Sequence, residues 1–553
     1  MSQFPWIANY PKGIPAKIEG KQPDSVVELL NDAFYKYGSR EAFENMGKSL
    51  TYDEIDQLSG FFAAYLQNEL KLVKGDRIAI QMPNCLQYPV ALVGALKAGL
   101  IVVNTNPLYT PREMEHQFKD SGAKAIVIIA NFASNLEEVI KETNIQHVIV
   151  TELGDLIGGV KGAVVNFVVK HIKKMVPSFN LPQAIKLNAV LKKGARMKFA
   201  KPEINGEDLA FLQYTGGTTG VSKGAQLSHS NIVAHTYIIA DWFSPFLSDK
   251  PELMCTPIPM YHIFALTVNG LLMMHVGAKN LLITNPRDMK SFLKDLKSHK
   301  VTLMTGVNTL FNGLLNQSDF KEIDLSNLKG AIAGGMAVQD FVAKKWETVT
   351  GSALIQGYGL SETSPVLCCN PLDGNHQVGT IGLPVSSTEV AIFDDDGNQL
   401  PQGEVGEICA RGPQVMKGYW QIENKDVFFN DGWFRTGDIG VMNDQGFFTI
   451  VDRKKDMINV SGFNVYPNEV ENVIVDHPKV LEVAVIGIKD EKSTECVKAF
   501  IVKADDSLTI EELDAYCHEE LTGYKRPKHY EFRDDLPKTN VGKILRRLLK
   551  EEA

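Results

Sequence analysis

Apolar residues recur at Leu58, Phe62 and Leu66 behind the tetrad "TYDE" (Thr51–Glu54). That spacing predicts an amphipathic helix opened by a capping box. The next segments alternate: "DRIAIQM" reads as a strand, "YPVALVGALKAG" as a helix and "LIVVN" as a strand. "TPRE" at Thr110–Glu113 is a second capping box with Pro111 at the first helical position, and "KAIVIIA" closes the series. Strands apolar throughout, alternating with helices, predict a parallel sheet covered on both faces. A similar rhythm resumes from about Asp208 to Gly357. After Gly382 come short strands with Asp, Asn and Gly turns ("AIFDDDGNQ", "GEICARG", "MNDQGFFTIVD"), which predict a small β-rich unit. Beyond "VDRKKD", the helix "NEVENVIVDHP", the strands "VLEVAVIGI" and "VKAFIVKAD" and the capped helix "TIEELDAYCHEEL" form an α+β pattern, with a boundary expected at Asp452.

A chain of 553 residues is too long for one core, and two to four structural units are expected. Its 44% hydrophobic and 22% charged residues are those of an ordinary globular protein, and a net charge of −9 argues against bulk nucleic-acid binding. Seven cysteines without a CxxC pair read as reduced thiols, neither a disulfide frame nor a zinc site. The start "MSQFPWIANYPKG" lacks the order of a signal peptide, and "ALVGALKAGLIVV" is broken by Lys97. The expectation is a cytoplasmic protein without a spanning segment.

"YTGGTTGVSKGA" (Tyr214–Ala225) follows the strand-like "DLAFLQ". Its glycines let backbone N–H groups approach an anion, and its hydroxyls and lysine add donors and charge. It is not a Walker loop, because Lys223 is followed by Gly224; "GKS" at Gly47–Ser49 fails too, since Ala42 stands where a glycine is required. "GVSKG" (Gly220–Gly224) does match a hydrolase nucleophile elbow, although eight loop residues separate Ser222 from the strand. Taken alone, the loop leaves phosphate binding, a plain loop and an elbow open.

Six segments occur in the order seen in the adenylate-forming superfamily: the loop itself, "PMYHIFAL", "QGYGLSETSP", "WFRTGDIG", "VDRKKDMINVSGFNVYPNEVE" and "PKTNVGKILRR". The chain resembles that superfamily along nearly its whole length, and "ITNPRD", "TGVNTLFN" and "SGFNVYPNEVE" are most similar to its bacterial long-chain fatty-acyl-CoA ligase branch. The resemblance implies an α/β fold. Residues 1–451 would form a large N-terminal domain of two doubly wound α/β subdomains plus a small β-barrel-like subdomain. Residues 452–553 would form a small mobile α+β domain hinged at Asp452.

The implied reaction has two steps, with ATP, Mg²⁺ and coenzyme A required. A carboxylate attacks the α-phosphorus of ATP, and the coenzyme A thiol then attacks the acyl-adenylate. Thr215, Gly216, Gly217, Thr218, Thr219, Gly220 and Lys223 would hold the β- and γ-phosphates, and Glu362 with Thr215 the Mg²⁺. Tyr358 would lie against adenine, enclosed by Gly334, Gly335, Gln356, Gly357, Gly359 and Ser361, while Asp438 accepts the ribose hydroxyls. Arg453 and Lys455 would meet the nucleotide, and Lys543 would be the catalytic lysine bridging carboxylate and α-phosphate. His262 is implied as a gate between carboxylate site and thiol tunnel rather than a base, with Phe264 and Val307 along the acyl path and Trp242 as a second gate. Ser461, Gly462 and Phe463 would line the pantetheine tunnel. Two positions depart from the family pattern: Ser361 replaces a common Thr, and Asn459 a common basic residue.

Residues 156–202 contain no acidic side chain but ten lysines and arginines, among them Lys170, Lys173 and Lys174. "GAVVNFVVKHIKKMV" within them is either a helix lying on the cytoplasmic face of a membrane or a solvated helix packed on its own domain. The partners expected are small molecules (fatty acid, ATP, coenzyme A), with no nucleic acid; a homodimer is also compatible. The rival functions are a ligase for medium-chain or aromatic acids, and a non-catalytic nucleotide-binding module of the same fold.

Overall fold

The structure, a computed structural model, describes residues 4–215, 222–461, 463–490, 493–539, 542 and 544–553. Both capping boxes form: the Thr51 and Thr110 hydroxyls accept from the N–H groups of Glu54 and Glu113, whose carboxylates return to the two threonine N–H groups. They open the helices Tyr52–Asn68 and Pro111–Ser121 at the residues the pattern marks.

The early α/β rhythm builds a seven-stranded sheet. Its order is Ile185–Lys186, His147–Thr151, Ala125–Ile129, Arg77–Gln81, Ile101–Asn104, Leu209–Thr215, Lys223–Ser228, parallel except for the last strand. A nine-stranded sheet carries the second rhythm, from Lys279–Leu282 and Leu253–Thr256 through Leu303–Gly306 and Gly330–Ala333 to Leu354–Gly359. One edge of it is supplied from far away in sequence: Glu41–Asn45 pairs in parallel with Lys279–Leu282, Phe43 opposite Asn280. The seven buried cysteines are free thiols, and burial, with the charges of Asp155 and Asp295 adding to it, raises Cys85 and Cys255 above their usual range.

Two smaller units follow. Glu389–Phe393, Gly406–Arg411, Trp433–Met442, Phe428–Phe429 and Phe448–Arg453 form an antiparallel sheet. The C-terminal sheet joins the long hairpin Val480–Asp490/Thr494–Lys503 to Ile458–Val460, Phe463–Val465 and, in parallel, His529–Arg533, with the helices Pro467–Val475 and Ile510–Glu520 alongside. The fold is thus mixed α/β with a smaller α+β unit at its C-terminal end.

Candidate active site

The Gly/Thr loop is rooted in a hairpin. Strand Leu209–Thr215 runs two residues further than the sequence suggests, and Lys223 opens the antiparallel strand Lys223–Ser228, so Thr215 and Lys223 face each other across the ladder. A nucleophile elbow needs a strand-to-helix turn. Ser222 leads into a strand instead, so the elbow reading falls. The roots are braced from the helix Pro111–Ser121: His116 Nε2 lies 2.9 Å from the Ser222 carbonyl oxygen, and the Tyr214 hydroxyl bonds Asp120. Gly216, Gly217, Thr218, Thr219 and Gly220 lie outside the described residues.

Glu362 sits in the short turn Ser361–Thr363, buried, with its backbone oxygen accepting from Met416 N–H at 2.7 Å. Its Oε1 accepts the Tyr419 hydroxyl at 2.6 Å, and burial raises its carboxyl above the usual carboxylate range against that bond. The Lys223 ammonium lies 5.2 Å from the centre of the same tyrosine ring. The hairpin residue Lys223 and the turn residue Glu362 therefore meet on one side chain.

A second cluster gathers Tyr358, Asp438 and Arg453. Asp438 and Arg453 are register partners on adjacent strands, and Arg453 Nε lies 3.1 Å from Asp438 Oδ1. The Tyr358 hydroxyl donates to Asp438 Oδ2 at 2.6 Å, and burial, then the Asp438 charge, pushes the phenol well above its ordinary range. Beside it, Thr436, Gly437, Arg453, Lys454 and Lys455 line a basic hollow of about 270 Å³ open to solvent. Desolvation, aided by Arg453, pushes Lys455 down to about 8.

The remaining wall is glycine-rich. Gly334 and Gly335 follow the strand Gly330–Ala333; a Cβ on Gly334 would lie 3.1 Å from the Phe264 ring, and Gly335 (φ +80°) has Val307 at 3.9 Å. Gln356, Gly357 and Gly359 come from the strand Leu354–Gly359, and Gln356 Oε1 accepts from Val338 N–H. His262 is half-buried, and its Nδ1 accepts from Phe264 N–H at 3.3 Å. Trp242 is buried and donates to the Asn370 carbonyl oxygen at 3.3 Å.

From the C-terminal unit, Gly542 packs against Val307 and Thr309 at the head of the helix Asn308–Leu315; Lys543 and Gly462 lie outside the described residues. Ser461 and Phe463 are not brought to this wall. Both are exposed, and Phe463 stacks on Tyr524 of its own unit at 4.8 Å. Asp452 is fully buried, its carboxylate accepting from Arg453 N–H (2.6 Å) and Asn468 N–H (2.8 Å).

Among the described residues no three His, Cys, Asp or Glu side chains converge on one point. One buried carboxylate near Lys223, at the root of the hairpin, suits a magnesium ion that takes its other ligands from phosphate and water.

The AMP-binding enzyme model matches residues 30–420, and the AMP-binding enzyme C-terminal domain model matches 469–543. The chain belongs to the AMP-binding enzyme family. Long-chain-fatty-acid–CoA ligases of Salmonella typhimurium and Haemophilus influenzae are 54% and 51% identical to it over 549 and 551 residues, covering 99% of this chain and 98% of each relative. The solved ATP-bound MatB of Rhodopseudomonas palustris aligns with a TM-score of 0.80 at 27% identity, over 95% of this chain and 98% of its own. The anthranilate CoA ligase AuaEII shares the fold, with a TM-score of 0.84 at 24% identity over 98% of this chain and 99% of its own.

Sequence reasoning missed several residues of this candidate site. Tyr419, His116 and Asp120 lie in no pattern that marks them, since each gains its place only through pairing of distant segments; Arg546 lies within "PKTNVGKILRR", but nothing in that motif marks its contacts with Glu471 and Asn468. The bridge between Ala225 and Tyr419, with Trp420 N–H donating to the Gly224 carbonyl oxygen at 2.8 Å, is such a pairing.

Proposed function

We propose that this AMP-binding enzyme activates long-chain fatty acids to acyl-CoA through an acyl-adenylate, using ATP, Mg²⁺ and coenzyme A. The observation that carries this reading is identity above one half, end to end, to ligases of that activity. In the first step a carboxylate oxygen bonds the α-phosphorus and pyrophosphate leaves. Charge builds between two anions, so fixed cations and donors supply most of the acceleration. Lys223 and the loop it closes would hold the terminal phosphates, Lys543 the reacting carboxylate and α-phosphate, and Asp438 the ribose. Glu362 with Thr215 would hold Mg²⁺, which when bound offsets negative charge on the phosphate oxygens. In the second step the thiol sulfur bonds the acyl carbon and AMP leaves.

The same two steps require one site to change faces, and the contacts around Asp452 support a hinge there. Arg453 and Lys454 are tied back to Asp438 and Glu407, whereas the Asp452 carboxylate accepts from Asn468 N–H of the C-terminal unit. Asp452→Pro is expected to keep pyrophosphate release and lose acyl-CoA formation. Equal loss of both, with Asp452→Asn behaving as wild type, would count against the hinge.

The basic stretch supports action at a membrane surface. The helix Gly159–Phe167 packs on its domain through Gly162 against Gly154 and leaves Val160, Val164 and Phe167 more than half exposed; Ile172 and Met175, further along the chain, are equally exposed beside Lys170, Lys173 and Lys174. An outward apolar stripe flanked by lysines suits an anionic bilayer at about 1 kcal/mol per lysine near the surface. No helix among the described residues is long and apolar enough to cross a membrane. Reversing the three lysines to Glu should lower cosedimentation with phosphatidylglycerol vesicles at least tenfold; unchanged binding retires the membrane role.

The deciding assay measures pyrophosphate and acyl-CoA across acids from acetate to oleate. Both should peak at long chains; a peak at aromatic or medium-chain acids would overturn the substrate assignment, and absence of acid-dependent release would leave a binding module.

A further inference from the structure

The segment Met416–Trp420 is held on three sides. Gln226 N–H donates to the Gly418 carbonyl oxygen at 2.9 Å, and Asn424 Oδ1 accepts Tyr419 N–H at 2.8 Å. Trp420 Nε1–H reaches the Asp120 carbonyl oxygen at 3.1 Å. Asp120 also takes the Tyr214 hydroxyl, so one helix end braces both the hairpin and this segment. A backbone held on three sides fixes the point from which the Tyr419 side chain reaches toward Glu362.

We infer that Tyr419 is a positioning residue for the cation-binding carboxylate: its hydroxyl holds Glu362 Oε1 at 2.6 Å while its ring face carries Lys223 at 5.2 Å. This rests on Glu362 being the magnesium ligand proposed above. The tyrosine sets the distance between the negative and positive groups flanking the triphosphate loop, and turns the second carboxylate oxygen away from itself. Residues that hydrogen-bond a ligating carboxylate cost 10–100-fold in metal affinity when removed. The lysine contact is a separate contribution through the ring.

The test is Tyr419→Phe, which keeps the ring and removes only the hydroxyl, with Tyr419→Leu removing both contacts. Mn²⁺ binding to full-length enzyme with a non-hydrolysable ATP analogue is followed by EPR, and Mg²⁺ dependence by pyrophosphate release. Tyr419→Phe should weaken Mn²⁺ and raise the half-saturating Mg²⁺ about tenfold, with the fatty-acid KM within twofold. Tyr419→Leu should in addition weaken the analogue itself without metal. If Tyr419→Phe binds Mn²⁺ as wild type, or if fatty-acid KM and Mg²⁺ dependence move together, the positioning role is wrong. If Glu362→Gln also leaves Mn²⁺ binding intact, it is the metal assignment that fails, and the inference with it.

Discussion

Glu362→Gln should cut acid-dependent pyrophosphate release by about a hundredfold or more, the usual loss when one preorganised electrostatic group leaves an active site. The amide is isosteric and still accepts the Tyr419 hydroxyl through its oxygen, so geometry is preserved and only the charge goes. Folding should respond in the opposite sense. Burial raises the Glu362 carboxyl, so the folded state binds its proton more tightly than the unfolded state. Above the unfolded pKa that difference is a loss of stability, which grows until pH passes the folded value. A neutral amide carries no such loss, and the variant should melt at or slightly above the wild-type temperature at pH 7.5. Lower activity with equal or higher Tm is the pattern of a residue strained for function. Near wild-type release would remove Glu362 from the catalytic set; a large fall in Tm would make it structural.

The local half of this protein was legible in its sequence. Capping boxes at Thr51 and Thr110 and apolar strands from Arg77 to Ile129 fold as read, because they depend on neighbours within a turn or on burial of whole segments. Periodicity reports which face is buried but not against what. Nothing in "EAFEN" marks it as the parallel partner of "KNLL", and nothing after Ser222 marks a strand rather than a loop. The site divides in the same way. Motif order points to Asp438 and Tyr358, and the fold brings them to 2.6 Å. Tyr419 follows an ordinary Lys-Gly pair, and its meeting with Glu362 depends on a backbone bridge to Ala225 nearly two hundred residues earlier. Such a contact is written in topology, which single-segment patterns do not carry.

Arg546→Met should destabilise the C-terminal unit by about 3–5 kcal/mol, the loss typical of removing one partner from a buried ion cluster. The guanidinium pairs with both Glu471 oxygens, at 3.1 and 2.7 Å, donates to Asn468 Oδ1 at 2.6 Å, and has Asp456 and Asp452 within 3.6 and 3.9 Å. Without it three carboxylates face one another in a dry setting. Burial already raises Glu471 and Asp452 above the usual carboxylate range, with Arg546 pulling both back down. Removing that pull raises them further, so the folded variant holds protons that its unfolded chain releases. Its stability then falls as pH rises from the unfolded carboxylate pKa through the folded values. The Tm gap between wild type and variant should accordingly widen as pH rises and close as pH falls toward the ordinary carboxylate range. A gap independent of pH would mean that the arginine acts by packing its stem and not by compensating charge. Because Arg546 lies three positions beyond Lys543 and beside the Asp452 carboxylate, the same substitution should loosen the tail from the hinge proposed at Asp452. Acyl-CoA formation should therefore fall at temperatures well below the melt.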